Sequence, residues 1–226
     1  MSVAVLIPAR DEAPRLPAVL ARVRATLPDA RVLVIDDGSR DGTGDVARAA
    51  GADVLAGEGR GYAHALATGY QALRGARAVV QLDADGQHPP EAAPLLLAAL
   101  AGADHVFGSR QGTPSPSTWD RRLGNGALAC GVALATGTWL ADVTCGYQAL
   151  GPAALALYTR RYPEGVADAN VRVYALRAGL RVCEIPVTVS GRSGGASMHD
   201  GWRGVQNLAR SAAALVGEAV RRRSDP

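Results

Sequence analysis

The chain has 226 residues, of which 48% are hydrophobic and 20% are charged, so it is long enough to bury a substantial core as one globular domain. Its 27 glycines and 13 prolines predict many ordered loops but stay below the level that indicates disorder. The net charge of +3 suits anionic ligands, and the absence of any nucleic-acid-binding motif argues against a nucleic-acid partner.

The cysteines and the hydropathy pattern bear on the cellular localisation of the protein. Three cysteines without metal-ligand spacing predict reduced thiols in a cytoplasmic protein: Cys130, Cys145 and Cys183. The first apolar run stops at Pro8, which argues against a secretion signal. The uncharged stretch 123–141 approaches the length of a membrane span, but glycine and polar residues interrupt it. We interpret it as a buried or interfacial helix.

The first half of the chain alternates strands with helices. The predicted strands are 3–7, 32–35, 53–55, 78–82 and 105–108, and the predicted helices are 14–26, 43–50, 62–73 and 90–101. This alternation is typical of α/β proteins with a Rossmann-like, doubly wound, mostly parallel sheet flanked by helices.

The second half is less regular. It predicts a Pro/Ser loop at 112–118, a helix at 121–136, and a turn with a strand at 142–150. A second helix at 167–178, a second strand at 181–189, a polar loop at 190–199 and a last helix at 202–222 follow. We see no linker, so we expect a single domain, 1–226, with 201–226 as an amphipathic helix. The apolar stripe of that helix predicts packing on its own domain; peripheral docking on a membrane, through Trp202 and the arginines at 221–223, is the alternative.

The stretch 78–91 reads AVVQLDADGQHPPE and combines a buried strand with two carboxylates. Because side chains alternate along a strand, Asp83 and Asp85 point the same way at its carboxyl end, where open parallel sheets bind ligands. With the amide of Gln87 they suit Mg²⁺ or Mn²⁺ shared with a phosphate. A polar turn, with Asp85 as a helix cap, is the alternative.

Three other predicted strands also end in polar residues. These residues are Arg10, Asp11 and Glu12, then Asp36 and Asp37, then Ser109 and Arg110. At one edge of a parallel sheet, the carboxylates suit a metal and the hydroxyls of a ribose, and Arg110 suits a phosphate. Each cluster alone is equally a plausible turn. The four histidines show no pairing, so we expect structural or surface positions for them.

Two glycine-containing loops are candidates for phosphate contact. Loop 57–61 precedes a helix and can turn backbone amides toward a phosphate, although it matches neither the dinucleotide fingerprint nor the P-loop. A flexible connection is the alternative. Loop 190–199 places Arg192 among small residues, which predicts a lid over a bound ligand, with a passive surface loop as the alternative.

In this order, the motifs resemble those of the family 2 glycosyltransferases of GT-A fold, most closely the dolichol-phosphate or polyprenyl-phosphate mannosyltransferase branch. The similarity spans about residues 3–200. It is carried by VLIPARDE (5–12), VIDDGSRDGT (34–43), GRGYAHALATGY (59–70), LDADGQHPPE (82–91), FGSR (107–110), RRLGN (121–125), DVTCGYQAL (142–150) and RAGLRVCEIPV (177–187).

The resemblance implies roles for individual residues. It implies a nucleoside site at Pro8, Ala9, Glu12 and Asp37, with Arg10, Asp36, Gly59, Gly61, Asp83 and Ala84 as further donor-binding residues. It implies a metal site at Asp83, Asp85 and Gln87. It implies that the phosphates meet Arg110, Arg122 and Arg192, which with Asp83 and Asp85 form the catalytic set.

Some positions depart from the family pattern. They are Arg10 in place of an aromatic residue, Asp11 in place of Asn, Gly86 in place of an apolar residue, Gln148 where Arg is common and Asn170 where Glu is usual. The donor base, the sugar and the acceptor therefore stay open.

We predict an inverting, metal-dependent transferase that moves mannose or glucose from GDP-mannose or UDP-glucose to a polyprenyl phosphate. Transfer to a soluble hydroxyl acceptor is one alternative. A nucleotide-sugar-binding protein without transferase activity is the other.

Overall fold

A computed structural model of the protein describes residues 2–110, 119–190 and 202–221, and its centre is one seven-stranded sheet. The strands in chain order are β1 (Val3–Ala9), β2 (Arg31–Asp36), β3 (Asp53–Ala56), β4 (Ala78–Gln81), β5 (His105–Ser109), β6 (Gln148–Leu150) and β7 (Val182–Pro186). Across the sheet the order is β3-β2-β1-β4-β6-β5-β7.

Neighbouring strands are parallel except at β6, which runs antiparallel between β4 and β5. The carboxyl ends of β1, β2, β4 and β5 therefore point to the same edge of the sheet. This arrangement confirms the predicted mostly parallel α/β sheet. It also brings the polar residues that follow these four strands to that one edge.

Eight helices and one 3₁₀ turn flank the described sheet. They are α1 (Leu16–Thr26), α2 (Thr43–Ala49), α3 (Tyr62–Ala72), the 3₁₀ turn Pro90–Ala92, α4 (Ala93–Ala99), α5 (Trp119–Thr136), α6 (Pro152–Arg160), α7 (Ala169–Arg177) and α8 (Trp202–Val220).

One element was not predicted, and two predicted elements differ from the structure. Helix α6 was missed, although Gly151 followed by Pro152 is a common way to begin a helix. The predicted helix 90–101 is instead a 3₁₀ turn followed by a short helix. The predicted strand 181–189 ends at Pro186, which has no N–H to donate to a sheet. The predicted loop 112–118 and residues 191–199 of the predicted lid lie outside the described residues.

The core lies on both faces of the sheet. Val5 and Ile7 of β1 pack with α1 on one face, whereas Leu6 packs with Leu66 and Tyr70 of α3 on the other. Because β1 is buried on both faces, its sequence is an uninterrupted apolar run instead of an alternating one.

Helix α8 packs against α5 and α7. Leu215 joins the buried cluster of those helices, and Glu218 forms an ion pair with Arg161. This half of the helix packs on its own domain, as its apolar stripe predicted. Among the described residues, no helix has the length and hydropathy needed to cross a membrane.

Candidate active site

Asp37 lies where the ends of β1 and β2 meet. Its backbone N–H donates to the carbonyl oxygen of Ala9 (2.9 Å), and its Oδ2 accepts from the N–H of Gly61 (2.8 Å). Its Oδ1 is buried and has no hydrogen-bond partner among the described residues. A buried carboxylate oxygen without a partner costs free energy, and a ligand that donates a hydrogen bond removes that cost. Asp37 is therefore the strongest candidate for a ligand-binding residue at this end of the site.

Loop 57–61 is hydrogen-bonded to the end of β2. The N–H of Gly57 donates to the carbonyl of Asp36 (2.8 Å), and Gly61 bonds Asp37 as described. A Cβ at position 57 would lie 2.9 Å from Oδ1 of Asp37, so only glycine fits there. The loop therefore lies directly against the unpaired oxygen.

The turn after β1 is bonded to the turn after β2. The N–H of Glu12 donates to Oγ1 of Thr43 (2.9 Å), and that of Asp11 donates to Oγ of Ser39 (3.0 Å). The carboxylate of Glu12 pairs with Arg15 at the start of α1. These contacts match the turn interpretation of the cluster and place Glu12 at the same sheet edge as Asp37.

The remaining predicted donor-binding residues differ in exposure and contacts. Asp36 accepts a hydrogen bond from the N–H of Ser39 (3.0 Å), which is a turn contact. Buried residues in this set are Pro8, Ala9 and Ala84, and exposed ones are Arg10 and Gly59. The predicted roles of these residues in donor binding stay predictions.

Asp83 and Asp85 follow β4 and are half-buried. Oδ1 of Asp83 accepts a hydrogen bond from the hydroxyl of Tyr62 (2.8 Å), and its backbone N–H donates to Nδ1 of His88 (3.1 Å). Oδ1 of Asp85 accepts from the N–H of Gln87 (3.1 Å). Tyr62 is 37% exposed, but desolvation of its hydroxyl and the charge of Asp83 raise its pKa well above the usual value, so the phenol keeps its proton.

The donor set at β4 fits a hard divalent cation bound together with a phosphate. Within the part of the chain that the structure describes, no three His, Cys, Asp or Glu side chains group closely enough to hold a metal. Two carboxylates and the amide of Gln87 are thus an incomplete oxygen set. Mg²⁺ and Mn²⁺ suit such sets, because Mg²⁺ usually takes one or two carboxylates and completes its shell with water and substrate phosphates.

Arg110, at the end of β5, is held by Asp142. Nε and Nη2 donate to the two carboxylate oxygens (2.7 and 2.8 Å), and the backbone N–H of Arg110 adds a third bond (2.9 Å). Burial raises the pKa of Asp142, but the hydrogen bonds and charge of Arg110 outweigh burial and lower it. A carboxylate so stabilised is a poor general base. The predicted role of Arg110 in phosphate binding stays a prediction.

Residues 141–146 form one wall of the site, beside Asp83. Glu184 accepts hydrogen bonds from the N–H groups of Ala141 (2.6 Å) and Asp142 (2.8 Å). The buried Arg172 donates from Nη2 to the carbonyl of Cys145 (2.6 Å). A Cβ at Gly146 would lie 3.2 Å from Oδ2 of Asp83, so the wall comes within contact distance of the carboxylate. Sequence reasoning missed the anchors Glu184 and Arg172.

The other predicted catalytic and acidic positions differ in placement. Arg122 is exposed on α5, and Arg192 lies outside the described residues. Asn170 is buried; its Oδ1 accepts from the N–H of Asp168 (3.0 Å) and its Nδ2 donates to the carbonyl of Glu164 (3.1 Å). Asn170 therefore shapes the turn before α7.

Comparisons with known proteins agree with these motifs. The model of the family described as Glycosyl transferase family 2 matches residues 4–126. An undecaprenyl-phosphate mannosyltransferase of Micrococcus luteus is 34% identical, over 97% of this chain and 91% of its own. A polyprenol monophosphomannose synthase of Mycolicibacterium smegmatis is 32% identical, over 87% of this chain and 80% of its own.

Solved structures show the same fold. Glucosyl-3-phosphoglycerate synthase from Mycobacterium tuberculosis, in complex with Mn²⁺, uridine diphosphate and phosphoglyceric acid, matches with a TM-score of 0.71 at 18% identity, over 99% of this chain and 80% of that one. Mannosyl-3-phosphoglycerate synthase from Rubrobacter xylanophilus matches with a TM-score of 0.70 at 17% identity, over 100% of this chain and 79% of that one. At such identities the likeness shows the fold alone, and it confirms the predicted GT-A architecture.

The buried pair of Arg110 and Asp142 predicts a pH-dependent loss of stability. Asp142→Asn should lower the free energy of unfolding at pH 7 by about 3 kcal/mol, because Arg110 loses its carboxylate partner. Since the folded-state pKa of Asp142 is lowered, its contribution is present above the unfolded-state value of about 3.9 and is lost as the pH falls through the folded-state value. Urea unfolding from pH 7 to pH 3 should show the difference between variant and parent shrinking toward acid.

Asp53→Asn is the matched control for this experiment. Asp53 pairs with Arg31 at the surface, where the two side chains are 57% and 49% exposed. Its loss should change the free energy of unfolding by less than about 1 kcal/mol. Equal losses in the two variants would contradict the importance that we assign to the buried pair.

Proposed function

Because this chain belongs to glycosyl transferase family 2 and has a GT-A fold, we propose that it is an inverting, metal-dependent transferase that moves a sugar from a nucleotide-diphospho-sugar to a polyprenyl phosphate. The names of its relatives in Micrococcus luteus and Mycolicibacterium smegmatis support the acceptor class and mannose as the sugar. The observation that carries the donor site is the buried, unpaired oxygen of Asp37, at the same sheet edge as Asp83 and Asp85.

The donor, GDP-mannose or UDP-glucose, lies across this edge. The unpaired carboxylate oxygen of Asp37 accepts a hydrogen bond from the nucleoside, beside Pro8, Ala9 and Glu12. The diphosphate lies by Asp83, Asp85 and Gln87, which would hold Mg²⁺ or Mn²⁺. A cation bound there neutralises the negative charge that develops on the leaving diphosphate. We assign contacts with the phosphates to Arg110, whose orientation Asp142 fixes, and to Arg122 and Arg192.

A phosphate acceptor needs no strong general base. Its second pKa is about 6, so at neutral pH its oxygen is already an anionic nucleophile. That oxygen forms a bond to C1 of the sugar, the bond from C1 to the diphosphate oxygen breaks, and the nucleoside diphosphate leaves with the electron pair. The lowered pKa of Asp142 and the amide at position 170 support a mechanism without a strong base.

A lipid-linked acceptor requires contact with a membrane surface. Exposed apolar side chains on α5 and α8 support a peripheral contact there: Leu123, Leu134, Leu208, Val216 and Val220. The arginines at 221–223 add positive charge that anionic lipids attract.

The metal and the nucleoside diphosphate should bind together. Calorimetric titration of GDP and UDP with and without Mn²⁺ should show that Mn²⁺ strengthens nucleotide binding to the parent, because each ligand increases the affinity for the other. Asp83→Ala and Asp85→Ala should abolish this effect of Mn²⁺. Asp45→Ala is the control, since Asp45 is 87% exposed on α2. Parent-like binding by the Asp83 and Asp85 variants would show that the metal assignment is wrong.

The rate should follow ionisation of the acceptor. With a polyprenyl phosphate in anionic liposomes, the rate should rise with pH through about 6 and then level off. Asp168→Asn should retain turnover, because a positioned base contributes about 10²- to 10⁴-fold only where the acceptor is a hydroxyl. Loss of turnover in Asp168→Asn with donor binding intact, and glycosylation of hydroxyl compounds alone, would favour a soluble acceptor.

The protein should also bind to the surface of anionic liposomes. In a flotation experiment, the parent should float with the liposomes, and a smaller fraction of a variant without the arginines at 221–223 should do so. Equal flotation of the two proteins would remove these arginines from the argument.

A further inference from the structure

We propose that Tyr62 is a positioning residue for Asp83, and that a one-directional chain of hydrogen bonds, buried except at its Tyr62 end, aims its hydroxyl at that carboxylate. The inference rests on the proposed function, since it takes Asp83 as a ligand of Mg²⁺ or Mn²⁺. The members of the chain are Tyr158, His105, Gln148, Gln81 and Tyr62, with Tyr70 at its side.

The carbonyl of Gly146 fixes the orientation of the Gln81 amide. Nε2 of Gln81 donates to this carbonyl (3.0 Å) and to the hydroxyl oxygen of Tyr62 (3.1 Å). A phenol has a single proton. Because the Tyr62 oxygen accepts from Gln81, its proton is directed to Oδ1 of Asp83 (2.8 Å). The bond to Asp83 therefore has one possible direction.

The opposite strand fixes the other end of Gln81. Gln148 lies directly opposite Gln81 in the β4–β6 register, and its Nε2 donates to Oε1 of Gln81 (2.6 Å) and to the hydroxyl oxygen of Tyr70 (3.2 Å). The hydroxyl of Tyr70 donates to the same Oε1. Both amide groups are nearly inaccessible to solvent, and each of their polar atoms has a partner. A fully satisfied buried network of this kind holds its members in one arrangement.

His105 and Tyr158 close the far end of the chain. Nε2 of His105 bonds Oε1 of Gln148 (2.8 Å), and an amide oxygen only accepts, so Nε2 carries the proton. The hydroxyl of Tyr158 then donates to Nδ1 (3.0 Å). Burial, followed by the charge of Arg172, lowers the pKa of His105 to about 3, so the ring is neutral and the assigned direction holds at physiological pH. The chain thus runs from Tyr158 to Tyr62 through neutral groups and ends on the carboxylate of Asp83.

Gln148 occupies a position where relatives in glycosyl transferase family 2 commonly have arginine. An arginine side chain has no hydrogen-bond acceptor, so it cannot accept from His105. The link from His105 to Gln81 therefore depends on glutamine at position 148 of this sequence. Partners that orient metal-binding carboxylates affect metal affinity by about 10- to 100-fold, which sets the size of the effect to expect from Tyr62.

The test compares Tyr62→Phe with Tyr70→Phe. Each variant loses one hydroxyl that is bonded to Gln81, but only Tyr62 contacts Asp83. Binding of Mn²⁺ in the presence of GDP or UDP is followed through the electron paramagnetic resonance of free Mn²⁺. Nucleotide binding in EDTA is measured by calorimetry. Tyr62→Phe should weaken Mn²⁺ binding by about 10- to 100-fold and leave nucleotide binding in EDTA unchanged. Tyr70→Phe should match the parent in both measurements.

Three outcomes overturn the proposal, and they are distinguishable. Parent-like Mn²⁺ binding by Tyr62→Phe removes the positioning role and leaves the proposed function intact. Equal weakening by the two variants, or weaker nucleotide binding of Tyr62→Phe in EDTA, indicates a general structural role for the hydroxyl. If the parent itself shows no effect of Mn²⁺ on nucleotide binding, the metal part of the proposed function fails, and this inference fails with it.

Discussion

Two hydrogen bonds from consecutive residues connect the two ends of the candidate donor site. The N–H of Gly61 binds Asp37 beyond β2, and the hydroxyl of Tyr62 binds Asp83 beyond β4. Both residues stand at the start of α3, whose body packs on the core below the sheet edge. The beginning of one helix therefore fixes the spacing between the proposed nucleoside and diphosphate positions.

The opposite side of the site depends on charges that are half-buried or buried and have partners. The guanidinium of Arg110 is matched by Asp142, and Glu184 holds the backbone at Ala141 and Asp142. Removing Arg110 would leave the carboxylate of Asp142, which is 1% exposed, without its partner, and this costs more than the pair contributes when intact. These contacts hold the backbone of the wall next to Asp83 in place.

The sequence predicted the parts of this protein that arise from local pattern. Apolar runs marked the strands, and polar residues at their ends, including Asp37 and Asp83, marked the sheet edge at which the candidate site lies. Tyr62 was recognised as a helix start but not as a partner of Asp83, because the contact joins residues 21 positions apart and has no periodic signal. Gln148 appeared only as a departure from a family pattern. Its bond to Gln81 spans 67 positions and becomes visible only when β6 is placed antiparallel beside β4.

Analysis of the reaction product tests the central claim most directly. The protein is incubated with Mn²⁺, sugar-labelled GDP-mannose or UDP-glucose, and a polyprenyl phosphate, and the organic extract is analysed by mass spectrometry. Our account predicts a lipid-soluble product in which the sugar is joined to the polyprenyl phosphate, with one nucleoside diphosphate released per sugar transferred. Donor binding without any transfer, or label found only on hydroxyl acceptors, would contradict it.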